Sequence, residues 1–271
     1  MTTIQEALVS IQDKKLRHIV SISGGKDSAA LAIYMRHKYP QIDVEYVFCD
    51  TGCELPETYE YLERLQALLG KKVLHVNALD MIKVRNKPNR TPFDFWLYEV
   101  YNGFLPSPRS RWCTKILKIK PFEAFVGKDY AYSYIGIRAD ENREGYIAKK
   151  PPVLSKRPNI LPVYPFKDDN IKLEDIKYIL EDSGLGLPTY YKWRSRSGCY
   201  FCFYQQIGEW QGLKEIHPDL FSKAKKYEKK ENENQKYTWV DGRSLTDIEN
   251  LSKRYSISSL DEADGCTICH L

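Results

Sequence analysis

The run Ser21-Ile22-Ser23-Gly24-Gly25-Lys26-Asp27-Ser28 constrains this chain more than any other stretch. It is entered from the apolar Leu16-Arg17-His18-Ile19-Val20 and left through Ala29-Ala30-Leu31-Ala32-Ile33-Tyr34-Met35. That order predicts a strand, a tight turn and a helix N-terminus. Adjacent glycines reach backbone angles closed to other residues and bring their N–H groups close to a ligand. The helix start adds unpaired donors and the positive end of a dipole. Lys26 supplies a full charge, and Ser23 and Ser28 supply hydroxyls. A phosphate or pyrophosphate satisfies all of these groups. The dinucleotide fingerprint and the P-loop pattern both fail, because the glycines are adjacent and the lysine follows directly. A plain strand-to-helix turn with Ser28 as its cap is the simpler use of the same residues.

The rest of the composition sets the frame. With 271 residues the chain makes one large domain or two small ones. Its 42% hydrophobic and 28% charged residues are ordinary for a soluble globular protein. A net charge of +5 permits an anionic substrate or nucleic acid without demanding one. No apolar run approaches a membrane span, so no membrane partner is expected. Met1–Glu6 lacks the basic and apolar regions of a signal peptide, and the expected compartment is the cytoplasm. Seven cysteines without an export signal argue against a disulfide framework. They fall as Cys49 and Cys53, Cys113 alone, Cys199-x-x-Cys202 and Cys266-x-x-Cys269, which is a metal or redox pattern.

Strand-like runs at 18–22, 43–48, 72–76 and 130–135 alternate with helical patterns at 29–35 and 57–69, which indicates an open parallel α/β sheet. A helix over 4–16 precedes them, and residues 78–112 read as irregular. Loops after parallel strands share one edge, so Asp50 and Thr51 are expected beside the phosphate loop. Arg138 and Arg143, five apart after Gly136, suit an anionic ligand at that edge. Residues 160–163 begin a transition, which divides the chain into a nucleotide-binding α/β domain (1–165) and a mainly helical, cysteine-containing region (166–271). The second part holds a helix over 173–181, an aromatic and arginine-rich stretch around Arg194 and Arg196, a helical and basic segment over 205–230, a polar loop over 231–236 and a last helix near 244–255.

Several ordered motifs share a known pattern: SGGKDS at 23–28, DTG and PET at 50–52 and 56–58, WCTKILKIKPF at 112–122, GIRADENR at 136–143, LPVYPF at 161–166 and SGCYFC at 197–202. The chain resembles the phosphoadenosine phosphosulfate reductase-type family of the PP-loop ATP pyrophosphatase superfamily over roughly residues 16–204. The resemblance implies a Rossmann-like sheet, of the adenine nucleotide alpha hydrolase type with helices on both faces, that binds an adenine nucleotide at its carboxyl edge. It assigns Ser23, Gly24, Gly25, Lys26, Asp27 and Ser28 to the phosphate-binding loop, and Asp50, Thr51 and Gly136 to the nucleotide's surroundings. Lys115, Arg138 and Arg143 match positions that face the phosphate or sulfate end, and with Lys26 and Asp27 form the expected catalytic set.

The family holds two chemistries. One cleaves ATP to AMP and pyrophosphate, with magnesium, to activate a substrate for sulfur incorporation. The intact SGGKDS and the Trp112-Cys113 pair in place of a double cysteine favour this branch, and its ATP pyrophosphatase components of DNA phosphorothioation are the nearest in type. That reading implies a DNA acceptor, a sulfur donor such as a cysteine desulfurase, and other components of a modification complex. Lys223, Lys225, Lys226, Lys229 and Lys230, with Arg194 and Arg196, are charges that could track a nucleic-acid backbone, although a solvated helix face explains the lysines equally. The other chemistry reduces a sulfonucleotide and releases sulfite, and a zinc-stapled nucleic-acid-binding module is a third, non-catalytic reading. Cys113, Cys199 and Cys202 occupy cluster-like positions, with Cys266 or Cys269 as a fourth ligand. Four thiolates suit a 4Fe–4S iron–sulfur cluster or tetrahedral zinc, and the terminal pair equally suits a redox dithiol.

Overall fold

The computed structural model describes residues 3–10, 16–82, 90–141, 159–228, 230–231 and 235–257. Helix α1 (Ile4–Val9) leads into β1 (Leu16–Ile22), whose last residues, His18–Ile22, are all buried. The chain then passes through α2 (Lys26–Lys38) to β2 (Val44–Cys49), and through α3 (Pro56–Leu69) to β3 (Val73–Val76). Short helices α4 (Ala78–Met81) and α5 (Pro92–Phe95) follow, the second running into a π-helical turn at Trp96–Val100. A longer helix begins as α6 (Trp112–Thr114), widens to a π-helix over Lys115–Ile119 and ends as α7 (Lys120–Val126) before β4 (Tyr130–Tyr134). Then come β5 (Ile160–Val163), α8 (Pro165–Asp168), α9 (Leu173–Asp182), a 3-10 turn at Thr189–Lys192, α10 (Ile207–Ile216), α11 (Pro218–Tyr227) and α12 (Leu245–Glu249).

The strands pair in the order β3-β2-β1-β4-β5, every neighbour parallel. From β1 the chain steps outward to β2 and β3, then returns to the opposite side of β1 for β4. This reversal opens a crevice at the carboxyl ends of β1 and β4, where open α/β sheets bind ligands. Side chains alternate between faces with the strand period of two. Val20, Ile22, Tyr46 and Phe48 join one core with α2, α3 and α9, while Ile19, Val47 and Ala131 pack on Phe122 and Val126 of α7. Burying each such aliphatic side chain stabilises the fold by about 1.5–3 kcal/mol. The expected sheet, with helices on both faces and a helical region after it, is therefore the observed one.

Five local readings change. Residues 160–163 are not a bare transition but a fifth strand, paired with β4 from Ala131↔Ile160 to Tyr134↔Val163. Its Pro162 fits because β5 is an edge strand. The stretch 78–112 holds α4, α5 and a π-helical turn, because Asn77 and Thr91 each close a capping box that starts a short helix. The ends of the segment read as a polar loop at 231–236 pair as a two-stranded ribbon, β6 (Lys230–Glu231) against β7 (Gln235–Lys236). The last helix stops at Glu249, and the segment read as one helix over 205–230 breaks at His217-Pro218, since proline starts a helix but cannot continue one.

A second core forms beyond the carboxyl edge of the sheet. Phe93, Leu97, Trp112 and Ile116, from the connections after β3, pack with Tyr190, Phe201, Trp210, Phe221 and Trp239. Cys53 and Leu55, just after β2, belong to the same cluster.

Candidate functional site

The loop after β1 is built for close approach. Gly24 has φ +76°, and a side chain there would meet Thr58 Cγ2 at 2.4 Å. A side chain at Gly25 would meet Ser197 Oγ at 2.6 Å, so glycine is what lets the 190–198 segment lie against the loop. Gly25 caps α2 with no side-chain hydrogen bond. Ser28 Oγ accepts from the Ser23 N–H at 3.0 Å and donates to the Gly25 carbonyl at 3.1 Å, tying the turn shut. The Ser23 hydroxyl sits 3.0 Å from that of Ser28.

The loop's charges are buried. Lys26 and Asp27 are each 5% exposed, and Lys26 Nζ donates to Asp27 Oδ2 at 2.9 Å. Arg138, also 5% exposed, reaches Asp27 Oδ1 from the end of β4 at 3.0 Å. The same guanidinium pairs with Asp140 at 3.0 Å and Glu141 at 2.7 Å. Burial works against both cations, but Asp27 outweighs it at Lys26, and Asp27 with Glu141 outweighs it at Arg138, so both pKa values lie above the ordinary range. Gly136 lies directly against the Asp27 carbonyl, where a side chain would come within 3.0 Å. Two cations thus face three carboxylates at the crevice between β1 and β4.

Asp50 and Thr51 stand at the same edge, after β2. Asp50 Oδ1 accepts from the Gly52 N–H at 2.7 Å and the Tyr59 hydroxyl at 2.8 Å, and its Oδ2 lies 3.7 Å from His75 Nδ1. Burial alone would raise its pKa, but these donors hold it below the usual carboxylate range. Thr51, 1% exposed, donates to Glu54 Oε1 at 2.7 Å and lies 3.2 Å from Cys199 Sγ. Burial and the Asp50 charge push the Glu54 carboxyl up.

Thr51 also opens onto an apolar pocket lined by Cys113, Cys199, Cys202, Leu117, Lys118 and Tyr204, among others. Three of the expected metal ligands therefore meet at one cavity. They are not drawn together as a coordination site: among the described residues no three Cys, His, Asp or Glu side chains are grouped to hold a metal ion. Burial, then the Glu54 charge, pushes the Cys199 thiol well above its ordinary value, with Lys118 opposing. Thiolates in such a pocket need a compensating cation, which is what a bound metal provides, so the donor set suits a thiophilic centre. Cys53 is a buried thiol and Cys49 a half-buried one, pushed up to about 12 chiefly by desolvation.

Other expected residues fall differently. Arg143, Cys266 and Cys269 lie outside the described residues. Lys115 is exposed on the π-helical turn, and the lysine lining the pocket is Lys118. Arg194 does not face a backbone: it is 1% exposed and donates to the carbonyls of Gly198 and Cys199 at 3.1 and 2.8 Å, holding the C-x-x-C turn. Lys225 is paired with Glu249, and Lys226 is exposed. Three residues at the loop carry no motif signal. Tyr190 donates to the Gly24 carbonyl at 2.7 Å, the Tyr191 hydroxyl accepts from the Lys26 N–H at 3.3 Å, and Glu54 anchors Thr51.

The chain is similar to several known proteins. Two uncharacterised curated proteins of Methanocaldococcus jannaschii are each 28% identical to the chain, one over 211 residues (76% of this chain, 40% of the relative) and one over 212 (75% and 45%). The chain spans less than half the length of these relatives. A crystal structure of phosphoadenylyl-sulfate reductase from Candida auris, in a phosphate complex, aligns with TM-score 0.46 at 14% identity, covering 72% of this chain and 85% of that one. The model of the phosphoadenosine phosphosulfate reductase domain matches residues 17–211, a span that holds the β1 loop, the Arg138 crevice and the cysteine pocket alike, and the chain belongs to that family.

Proposed function

We propose that this chain cleaves ATP between its α and β phosphates, releasing AMP and pyrophosphate, to activate a substrate for sulfur incorporation. The observation that carries the reading is the intact Ser23–Ser28 loop joined to a buried Lys26–Asp27–Arg138 cluster, with a three-cysteine pocket that Thr51, from the loop after β2, also lines. An acceptor oxygen attacks the α-phosphorus as the bond to the bridging oxygen breaks, pyrophosphate leaves with the negative charge, and AMP leaves from the adenylated acceptor when donor sulfur, or water in its absence, displaces it. Lys26, Arg138 and the loop amides are placed to stabilise that charge. Three carboxylates against two cations make the crevice net negative, so the nucleotide enters with magnesium rather than as the bare polyanion.

Cys113, Cys199 and Cys202 would hold an iron–sulfur cluster or a zinc ion, with Cys266 or Cys269 as the fourth ligand. When bound, either group supplies a thiophilic cation that keeps the thiols ionised. The acceptor we favour is a DNA backbone phosphate, as in phosphorothioation, with sulfur delivered by a cysteine desulfurase and other members of a modification complex. The family's name also supports a second reading, reduction of a sulfonucleotide.

The test is anaerobic incubation of the full chain with ATP and magnesium, with and without DNA. The expected products are AMP and pyrophosphate, and Lys26→Ala lowers the rate roughly 10²-fold or more. Release of ADP and phosphate overturns the proposal, and sulfite from adenosine phosphosulfate with thioredoxin establishes the reductase instead. Iron, sulfide and zinc content of the same sample identifies the group the cysteines hold.

A further inference from the structure

Arg196 carries a charge that its surroundings leave unanswered. Its Nε and Nη1 atoms are out of contact with solvent and find no hydrogen-bond acceptor among the described residues. Its guanidinium lies 5.5 Å from the centre of the Tyr204 ring, and that of Arg111 lies 5.7 Å from the same ring. The ring faces favour both cations, but a π-face does not satisfy N–H groups that point outward in the guanidinium plane. A desolvated donor on a full charge is costly and calls for a bound ion or water. Tyr204 is at the same time a wall of the cysteine pocket, beside Cys202 and Cys113. The described lining of that pocket includes Lys118 and no carboxylate; Glu54 stands behind Thr51 and Cys199.

We propose that Arg196, with Arg111 and Tyr204, forms a receptor for a tetrahedral oxoanion ester beside the cysteine pocket, and that this group belongs to a second substrate rather than to ATP. Guanidinium donors in a fixed plane match phosphate or sulfate oxygens better than an ammonium does. The site adjoins the Ser23–Ser28 loop through Ser197, which lies against Gly25, and reaches the cysteine pocket through the Tyr204 wall. Two sources share this chemistry, a phosphodiester of a nucleic-acid strand and the sulfate end of a sulfonucleotide. The proposal rests on the functional reading above only for the ligand's identity, since oxoanion binding is read without ATP and ATP cleavage is read by AMP release.

The experiment uses the full chain as wild type, Arg196→Met and Arg196→Lys, each repeated with Lys26→Ala so that anions at the nucleotide loop are not counted. Without added anions, Arg196→Met is expected to unfold at no lower temperature than wild type, because it removes a cation that lacks acceptors. Sodium sulfate is expected to raise the wild-type midpoint by more than that of Arg196→Met, whose rise is the general effect of sulfate on any folded protein. Binding of a labelled single-stranded oligodeoxynucleotide, or of adenosine phosphosulfate, weakens roughly tenfold or more in Arg196→Met and is partly restored in Arg196→Lys. Loss confined to the oligonucleotide assigns a nucleic-acid phosphodiester, and loss confined to the phosphosulfate assigns the sulfonucleotide. Equal sulfate stabilisation in both proteins, or unchanged affinity for both ligands, overturns the proposal. A marked drop in the Arg196→Met midpoint without anions overturns it as well, since the guanidinium would then already be satisfied.

Discussion

Asp27 is the hinge of the site's electrostatics, because one carboxylate separates two cations that would otherwise face each other out of water. Its oxygens are divided, Oδ2 to Lys26 at 2.9 Å and Oδ1 to Arg138 at 3.0 Å. Removing one partner of a buried ion pair leaves an uncompensated charge and typically costs about 3–5 kcal/mol. Asp27→Asn is isosteric, so it isolates that charge without opening a cavity. We expect it to lower unfolding stability in urea at neutral pH by about 3–5 kcal/mol. The control is Asp140→Asn, which also meets Arg138 but has a side chain 36% exposed, and should cost under about 1 kcal/mol. Equal losses in the two variants would place the organising charge elsewhere. The same pairing explains how the crevice can exist before a nucleotide arrives. Lys26 and Arg138 are held in place by carboxylates until phosphates take over as their partners, which leaves those carboxylates to face the magnesium.

At the scale of elements, the 3-10 turn at Thr189–Lys192 is strapped across the phosphate loop. Tyr190 donates to the Gly24 carbonyl, while the Tyr191 hydroxyl takes the Lys26 N–H, a donor at the start of α2 that a phosphate would use. Tyr190→Phe removes a buried donor and should cost about 1–3 kcal/mol of stability. Tyr191→Phe should cost about 1 kcal/mol yet bind magnesium-ATP as tightly as wild type or more so, because the competing hydroxyl is gone. A calorimetric titration showing much weaker ATP binding would make that hydroxyl a ligand and not a placeholder. Little of this strap could be read in the sequence, where Tyr190 and Tyr191 look like any aromatic pair and their partners lie 166 and 165 residues away. The β1–loop–α2 unit was legible because its signals are local: an apolar run, two glycines and a lysine in immediate succession. Arg138 was legible as a motif, but its pairing with Asp27 across 111 residues depends on the strand order, which no local pattern encodes. Strand β5 was hidden by its length and by Pro162. Lys118 was hidden by the π-helical turn, whose wider spacing alters which side chains share a face.

Across the whole molecule, the sheet and the aromatic core are stitched at the carboxyl edge, and this decides how the chain unfolds. Tyr190 bonds Gly24, the Tyr200 N–H donates to the Cys53 carbonyl at 2.9 Å, and His217 pairs with Glu57 at 2.7 Å, so three contacts cross from the C-terminal half to the loops and helix that follow β1 and β2. The aromatic core itself is drawn from both halves, since Phe93 stands 4.2 Å from the Phe201 ring and 5.5 Å from that of Trp112. A body assembled in this way has no surface along which one half can melt and leave the other native. Phe93 is fully buried at 0% exposure, and Phe93→Ala should therefore cost about 3–5 kcal/mol. Its effect should also reach the sheet. Tryptophan fluorescence reports the aromatic core, where Trp112, Trp210 and Trp239 sit, and far-ultraviolet circular dichroism reports the backbone as a whole. In urea the two signals should move to lower denaturant together, in Phe93→Ala as in wild type, as a single cooperative transition requires. Fluorescence that collapses first, with the circular dichroism transition left at its wild-type midpoint, would show two independent units and would detach the cysteine pocket from the nucleotide edge. If the transitions coincide, a nucleotide held by the loop after β1 tightens the same body that forms the pocket. Magnesium-ATP should then raise the midpoint read by tryptophan as much as that read by the backbone.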